Sequence, residues 1–196
     1  NEEVDWQRAA AAGVGFAIIK ASEGTTYRDP RCAANRQGAR AAGLATGAYH
    51  YFRPALDAAA QAEAFFASLD GQDALPPALD LEEHGGLGRA ALESAARRFL
   101  ERMQALGAGR CLIYTSPGFW SAYLPPRADW AAGYPLWLAH YTSGFPLPVY
   151  PWAAPAIWQF SARGRLPGFP GFVDLNRFWG SRAELLALKG GGDGRA

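Results

Sequence analysis

A chain of 196 residues with 49% hydrophobic and 19% charged residues is one folded domain, neither a disordered tail nor two comfortable domains. Nineteen Lys and Arg offset eighteen Asp and Glu, and the net charge of +1 argues against a nucleic-acid surface built on bulk charge. No apolar run reaches the roughly 18 residues that cross a bilayer, and Asn1-Glu2-Glu3 lacks the basic opening of a signal peptide, so membrane insertion is not expected.

Asp5-Trp6 opens an Ala-rich helix that stops at Gly13, and Phe16–Lys20 reads as a buried strand. Asp29-Pro30 is a helix start, with the helix running to about Ala42 before Gly43. Leu44–Tyr51 reads as the second strand, and Asp57 caps a helix through Phe65 and Phe66. Pro76-Pro77 precedes a short strand, Ala78–Glu82, and a long helix follows from Arg89 to Leu106. Arg110–Tyr114 is a further strand, with Ser116 as a helix cap after it. Beyond residue 115 helices shorten, and short strands are expected at Leu136–Ala139, Ala156–Phe160 and Gly171–Asp174. The last helix is Arg182–Leu188. The domain is read as residues 1–189, with 190–196 as a flexible tail. Alternating strands and helices with Gly or Pro punctuation predict an α/β fold of βα units, best arranged as a closed or nearly closed barrel. An open doubly wound sheet is the runner-up, weakened because no GxGxxG or GxxxxGK follows the first strand.

The strongest chemical signal is Leu79-Asp80-Leu81-Glu82. Carboxylates at i and i+2 on a strand face one side, about 7 Å apart along the chain. At the C-terminal end of a barrel strand they would share a site, where like charge lifts one pKa and leaves the other group anionic. That division of labour suits glycosidic bond cleavage, although a merely solvated strand end has the same local pattern. Glu83 would face the other way and is read as solvated. Asp174 could add a third carboxylate to the same mouth or cap a turn. Lys20 could face the barrel and pair with a carboxylate, as a structural ion pair. His50 is read as a hydrogen-bonded core residue, and the absence of a GxSxG elbow disfavours a histidine-based nucleophile system. Cys32 and Cys111 lack metal-ligand spacing and read as buried free thiols, so no metal or cofactor is expected. The Trp, Tyr and Phe content, 13% of the chain, fits either a core or a cleft of flat rings for sugar faces.

In chain order, Phe16–Gly24, Gly47-Ala48-Tyr49-His50-Tyr51-Phe52-Arg53-Pro54, Leu79–Glu82, Ile113–Ser116, Leu136–Tyr141, Ile157–Phe160 and Val173–Asn176 resemble glycoside hydrolase family 25. The resemblance covers about residues 4 to 180. It implies a flattened, single-domain TIM-like β/α barrel and hydrolysis of the β-1,4 bond between N-acetylmuramic acid and N-acetylglucosamine in peptidoglycan. On that pattern Glu82 matches the general acid and Asp80 its partner carboxylate. Asp80 would either attack the sugar or steady its acetamido group and the developing cation. Asp174 matches a further acid of the groove. Tyr49, Tyr51, Tyr114, Trp137, Tyr141 and Gln159, with Lys20, belong to motifs that supply groove-lining residues. The implied partner is the peptidoglycan glycan strand. The implied protein is a monomer, secreted, periplasmic or delivered to the wall by a phage.

One departure is expected to matter. Family members open with a strand carrying Asp-Val-Ser, whereas Val4-Asp5-Trp6 already matches the later helix start. The first strand and its aspartate are thus missing from this sequence. The resemblance then predicts an unpaired edge on Phe16–Lys20, a tendency to self-associate and weakened activity. The competing reading is a degenerate barrel that holds cell-wall glycan without cutting it. Another glycan hydrolase on the same barrel, acting on chitin for example, is the weaker third.

Overall fold

Short apolar runs between glycine or proline breaks become strands, and the longer amphipathic stretches between them become helices. The computed structural model describes residues 3–147 and 149–190. In chain order the elements are α1 (Trp6–Ala11), β1 (Phe16–Glu23), β2 (Tyr27–Arg28), α2 (Cys32–Ala41), β3 (Ala45–Tyr51), α3 (Ala58–Phe66) and β4 (Ala78–Asp80). There follow α4 (Arg89–Ala105), β5 (Leu112–Thr115), α5 (Pro117–Tyr123), a 3₁₀ turn at Asp129–Gly133, β6 (Leu136–Ala139), β7 (Ile157–Gly164), β8 (Val173–Arg177) and α6 (Arg182–Gly190). Asp5, Asp57 and Ser116 each accept a hydrogen bond from the backbone N–H three residues on, the caps expected of those residue types.

The strands form one eight-stranded sheet in the order β2-β1-β3-β4-β5-β6-β7-β8. β1, β3, β4, β5, β6 and β7 run parallel; β2 and β8 are antiparallel additions at the two ends. The α/β barrel expectation is thus met as a curled half-barrel. The ring does not close: among the described residues, the Phe16–Lys20 edge opposite β3 has no ladder partner. The strand read as Ala78–Glu82 also ends earlier, at Asp80. Leu81 still donates its N–H to the Tyr114 carbonyl at 2.9 Å, which holds the chain in line without continuing the ladder. The tail read over 190–196 falls, from 191 on, outside the described residues, and Gly190 closes α6.

The outer face of the parallel strands is sealed by helices. α4 buries Leu92, Ala96, Phe99, Leu100 and Met103, one stripe at helical spacing. Complete burial of each large apolar side chain contributes about 1.5–3 kcal/mol. His50 lies in this layer, its ring 5.2 Å from Phe99 and 5.4 Å from Phe65. Its nitrogens meet Ser22 Oγ at 2.9 Å and Gln61 Oε1 at 3.2 Å, and burial pushes its pKa down to about 4. It is a core residue, as the sequence reading has it. Both cysteines are buried thiols.

Acids also meet at the N-terminal ends of the strands. Arg36, almost fully buried, donates from Nε to Asp73 Oδ1 at 3.1 Å and from a terminal nitrogen to Asp70 at 2.7 Å. Arg40 reaches Asp70 at 2.8 Å, and the Thr46 hydroxyl donates to Asp73 at 2.8 Å. Two carboxylates here meet two guanidiniums. α6 is pinned to this end by Arg182, which donates to the Gly43 carbonyl at 3.0 Å.

Candidate active site

The curl leaves a slot of about 1240 Å³ between the β1 edge and β8, running over the inner face of the sheet. Lys20, Tyr49, Tyr51, Asp80, Glu82, Tyr114, Trp137, Gln159 and Asp174 all line it. Seven strands or strand ends deliver these side chains, because alternate residues of each strand face inward. Tyr141 does not line the slot itself. It stands at the edge and donates its hydroxyl to Gln159 Oε1 at 2.7 Å.

The floor is a fixed polar and aromatic layer. Tyr114 donates to the same Gln159 oxygen at 3.0 Å, and its ring meets Trp137 edge-on at 4.7 Å. Tyr49 packs on Trp137 from the other side at 6.2 Å, and the indole N–H donates to Asn176 Oδ1 at 2.7 Å. Trp137 is only 4% exposed and Tyr114 8%. Both therefore brace the floor of the slot they line. Asn176, which ties β6 to β8 through Trp137, lies in a motif of the sequence but has no signal of its own there.

Three carboxyl groups converge on this floor with little to neutralise them. Asp80 is 6% exposed, and its Oδ1 has no hydrogen-bond partner among the described residues. Burial lifts its pKa well above the ordinary carboxylate range, and the charges of Glu82 and Asp174 add to the rise. Glu82 is open to solvent at the mouth, yet the surrounding walls strip enough water to raise its pKa too. Asp174 and Glu83 push Glu82 in the same direction, while Lys20 and a hydrogen bond with Tyr51 oppose them. Asp174, on the opposite wall, is likewise exposed and likewise raised by its enclosure. Burial and the neighbouring acids also push the Tyr51 hydroxyl up to about 12.

Lys20 lies beside this group, and its charge opposes the rise at both Asp80 and Glu82. Its ammonium bonds Glu23 at 2.7 Å and sits 4.9 Å from the centre of the Tyr51 ring. Arg53 holds Glu23 through Nε at 2.9 Å and pairs with Glu83. Glu83 is therefore not merely solvated: the backbone turn after Asp80 brings it to Arg53, and its charge reaches Glu82. The sequence reading had no means of pairing Arg53 with acids 30 residues away on either side.

Two protonatable acids held together in a low-dielectric cleft share protons instead of ionising at once. The arrangement can hold a proton within the pair, at the mouth or beneath it. Among the described residues no group of His, Cys, Asp and Glu is placed to hold a metal ion.

Comparison with known proteins agrees with this geometry. Residues 1–169 match the family model described as glycosyl hydrolases family 25. Lysozyme M1 of Streptomyces globisporus is 38% identical over 94% of this chain and 67% of its own length. The crystal structure of the bacterial lysozyme from Streptomyces coelicolor superposes with a TM-score of 0.89 at 36% identity, covering 95% of this chain and 91% of that one. The muramidase from Trichobolus zukalii gives 0.86 at 35% identity, over 95% and 93% of the two chains. The chain belongs to glycosyl hydrolase family 25.

Proposed function

We propose that Glu82 and Asp80 divide the work of cutting the β-1,4 bond between N-acetylmuramic acid and N-acetylglucosamine in peptidoglycan. The chain is a glycoside hydrolase of the lysozyme type, and the alternative of a glycan-binding module that does not cut has no support in its relatives. One observation carries the division of roles: Asp80 and Glu82 share a cavity, both with raised pKa, one sealed below and the other open at the mouth.

Glu82 can reach a glycosidic oxygen in the groove, and its raised pKa keeps a proton available for the leaving group. As the bond from the anomeric carbon to that oxygen breaks, the proton passes to the oxygen and the sugar gains oxocarbenium character. Asp80 acts from beneath as the anion. Its unpartnered Oδ1 calls for a donor, since a buried oxygen left unpaired costs about 1–3 kcal/mol. The acetamido N–H of the sugar is such a donor, and holding it would aim the acetamido oxygen at the anomeric carbon. Glu82, now anionic, then takes a proton from the incoming water. Asp174 adds negative potential on the facing wall, and Tyr49, Tyr51, Tyr141 and Gln159 orient the sugar. Lys20 acts as a positioning residue, holding Glu23 and with it Arg53 at the mouth. The reading extends to a monomer acting at the cell wall outside the cytoplasm, where the substrate lies.

Reducing-end analysis of purified peptidoglycan after digestion tests the reaction. New muramic acid ends are expected. New glucosamine ends, no ends, or cleavage confined to chitin would each sink it.

A further inference from the structure

Arginines elsewhere in the chain are mostly spoken for. Arg31, Arg36, Arg40, Arg53, Arg97, Arg98, Arg102 and Arg127 form ion pairs, and Arg89, Arg110 and Arg182 donate to backbone carbonyls. The β7–β8 hairpin is different. Arg163 and Arg165 are exposed, and among the described residues neither lies within ion-pair distance of a carboxylate. Both guanidiniums instead stand over one ring, that of Phe172, at 5.3 and 4.5 Å from its centre.

The placement of Phe172 gives this pair its interest. Its ring lines the slot and is 54% exposed. It precedes Asp174 by two residues, immediately before β8 begins. The hairpin is narrow here because Gly164, opposite Val173, has no side chain to collide with Leu175. Two cations thus stand over the ring of a residue that lines the cleft, whose floor carries three carboxyl groups. They are held on an aromatic face, which limits the freedom lost when they engage a ligand.

A cationic rim beside an acidic floor serves a substrate whose bond to be cut is neutral and whose charge lies off to one side. Peptidoglycan has that form. Its sugar backbone is uncharged, and carboxylates sit on peptides attached through the lactyl group of alternate sugars. Guanidinium forks match carboxylates in geometry as well as charge. We propose that Arg163 and Arg165, mounted on Phe172, bind the carboxylates of the peptide stem, making the enzyme selective for peptide-bearing glycan. The proposal rests on the muramidase reading above.

The test compares two substrates: peptide-bearing strands stripped of wall polymers, and the same strands after an amidase has removed the peptides. Wild type should show a KM roughly five- to tenfold lower on the peptide-bearing strands. The Arg163→Gln/Arg165→Gln double variant should lose that advantage while keeping wild-type kcat and KM on bare glycan. Arg163→Lys/Arg165→Lys, which keeps charge without the fork, should recover part of it. Thermal midpoints of both variants should match wild type, since both side chains are exposed. An unchanged KM on peptide-bearing strands in the Gln variant overturns the proposal, as does an equal loss on both substrates. So does an effect seen only when phosphate-rich wall polymers are left in place. If wild type cuts neither substrate, the muramidase reading itself falls, an outcome distinct from these.

Discussion

The sheet carries two clusters of carboxylates, one at each end of its strands, and they differ in what surrounds them. At the N-terminal end Asp70 and Asp73 meet Arg36, Arg40 and the Thr46 hydroxyl. At the C-terminal end Asp80, Glu82 and Asp174 face one another, and the nearby cations Lys20 and Arg53 also pair with Glu23 and Glu83. At the first end, burial is offset by partners: it raises the Asp70 pKa, but the Gln72 N–H and Arg40 outweigh it and leave the carboxyl below its ordinary value. At the second end, burial and the neighbouring acids outweigh Lys20 and the Tyr51 hydrogen bond, and the carboxyls rise. The residue type is the same; the partner decides whether an acid stabilises the fold or holds a proton for chemistry.

The largest effect that would sharpen this contrast is on turnover. Glu82→Gln keeps the shape of the side chain but cannot donate a proton, and general acid catalysis is worth about 10²–10⁴-fold. Turnover on peptidoglycan should fall by that order with the thermal midpoint unchanged. A variant retaining more than about a tenth of wild-type turnover would remove Glu82 from the acid role.

Stability should then separate the two ends by sign. Asp73→Asn leaves Arg36 buried with one carboxylate instead of two, and breaking a buried pair costs about 3–5 kcal/mol. At about 2–4 °C per kcal/mol for a chain of this length, the midpoint should drop by roughly 10 °C. Asp80→Asn should do the reverse. With the native pKa raised above the unfolded value near 3.9, the native state binds the proton more tightly, so stability declines as pH rises through that interval. Removing the charge should therefore raise the midpoint by a few degrees at pH 7, with the gain fading toward pH 4. Activity should be strongly impaired. Melting curves across pH give both signs, and a destabilised Asp80→Asn at pH 7 would dissolve the comparison.

How far the sequence anticipates these features depends on how local their causes are. The caps at Asp5, Asp57 and Ser116 are local, set by a side chain and an N–H three residues away. So is the inward pairing of Asp80 and Glu82, which follows from alternation along one short segment. The direction of β8 is not. A strand is read at Gly171–Asp174 where β8 spans Val173–Arg177, but whether it runs with or against β7 depends on a connection that contains no helix. The number of partners of Phe16–Lys20 is not local either, since nothing in an apolar run says how many neighbours it has. Trp137 reads as a groove aromatic, and it lines the slot while Tyr49, Tyr114 and Asn176 hold it in place, contacts that no spacing in the sequence announces. Pairings such as Arg53 with Glu23 and Glu83, or Arg165 with Phe172, are created by the fold and leave no spacing to read.

The smallest effect comes from Glu83, which the sequence assigns to solvent. Its charge helps hold the Glu82 pKa up, after burial and Asp174. Glu83→Gln removes that repulsion and also frees Arg53 of one of its two acids, leaving more positive charge near Glu82. Both changes lower the Glu82 pKa. Activity requires Glu82 protonated, so the alkaline limb of the pH–rate profile should move to lower pH. The shift should be only a few tenths of a pH unit, because the Glu83–Arg53 pair is partly exposed and solvent screens it. Turnover at the optimum should stay near wild type, since Glu83 is not proposed to touch the sugar. A shift of the limb to higher pH would mean that Arg53, once released, turns away from Glu82.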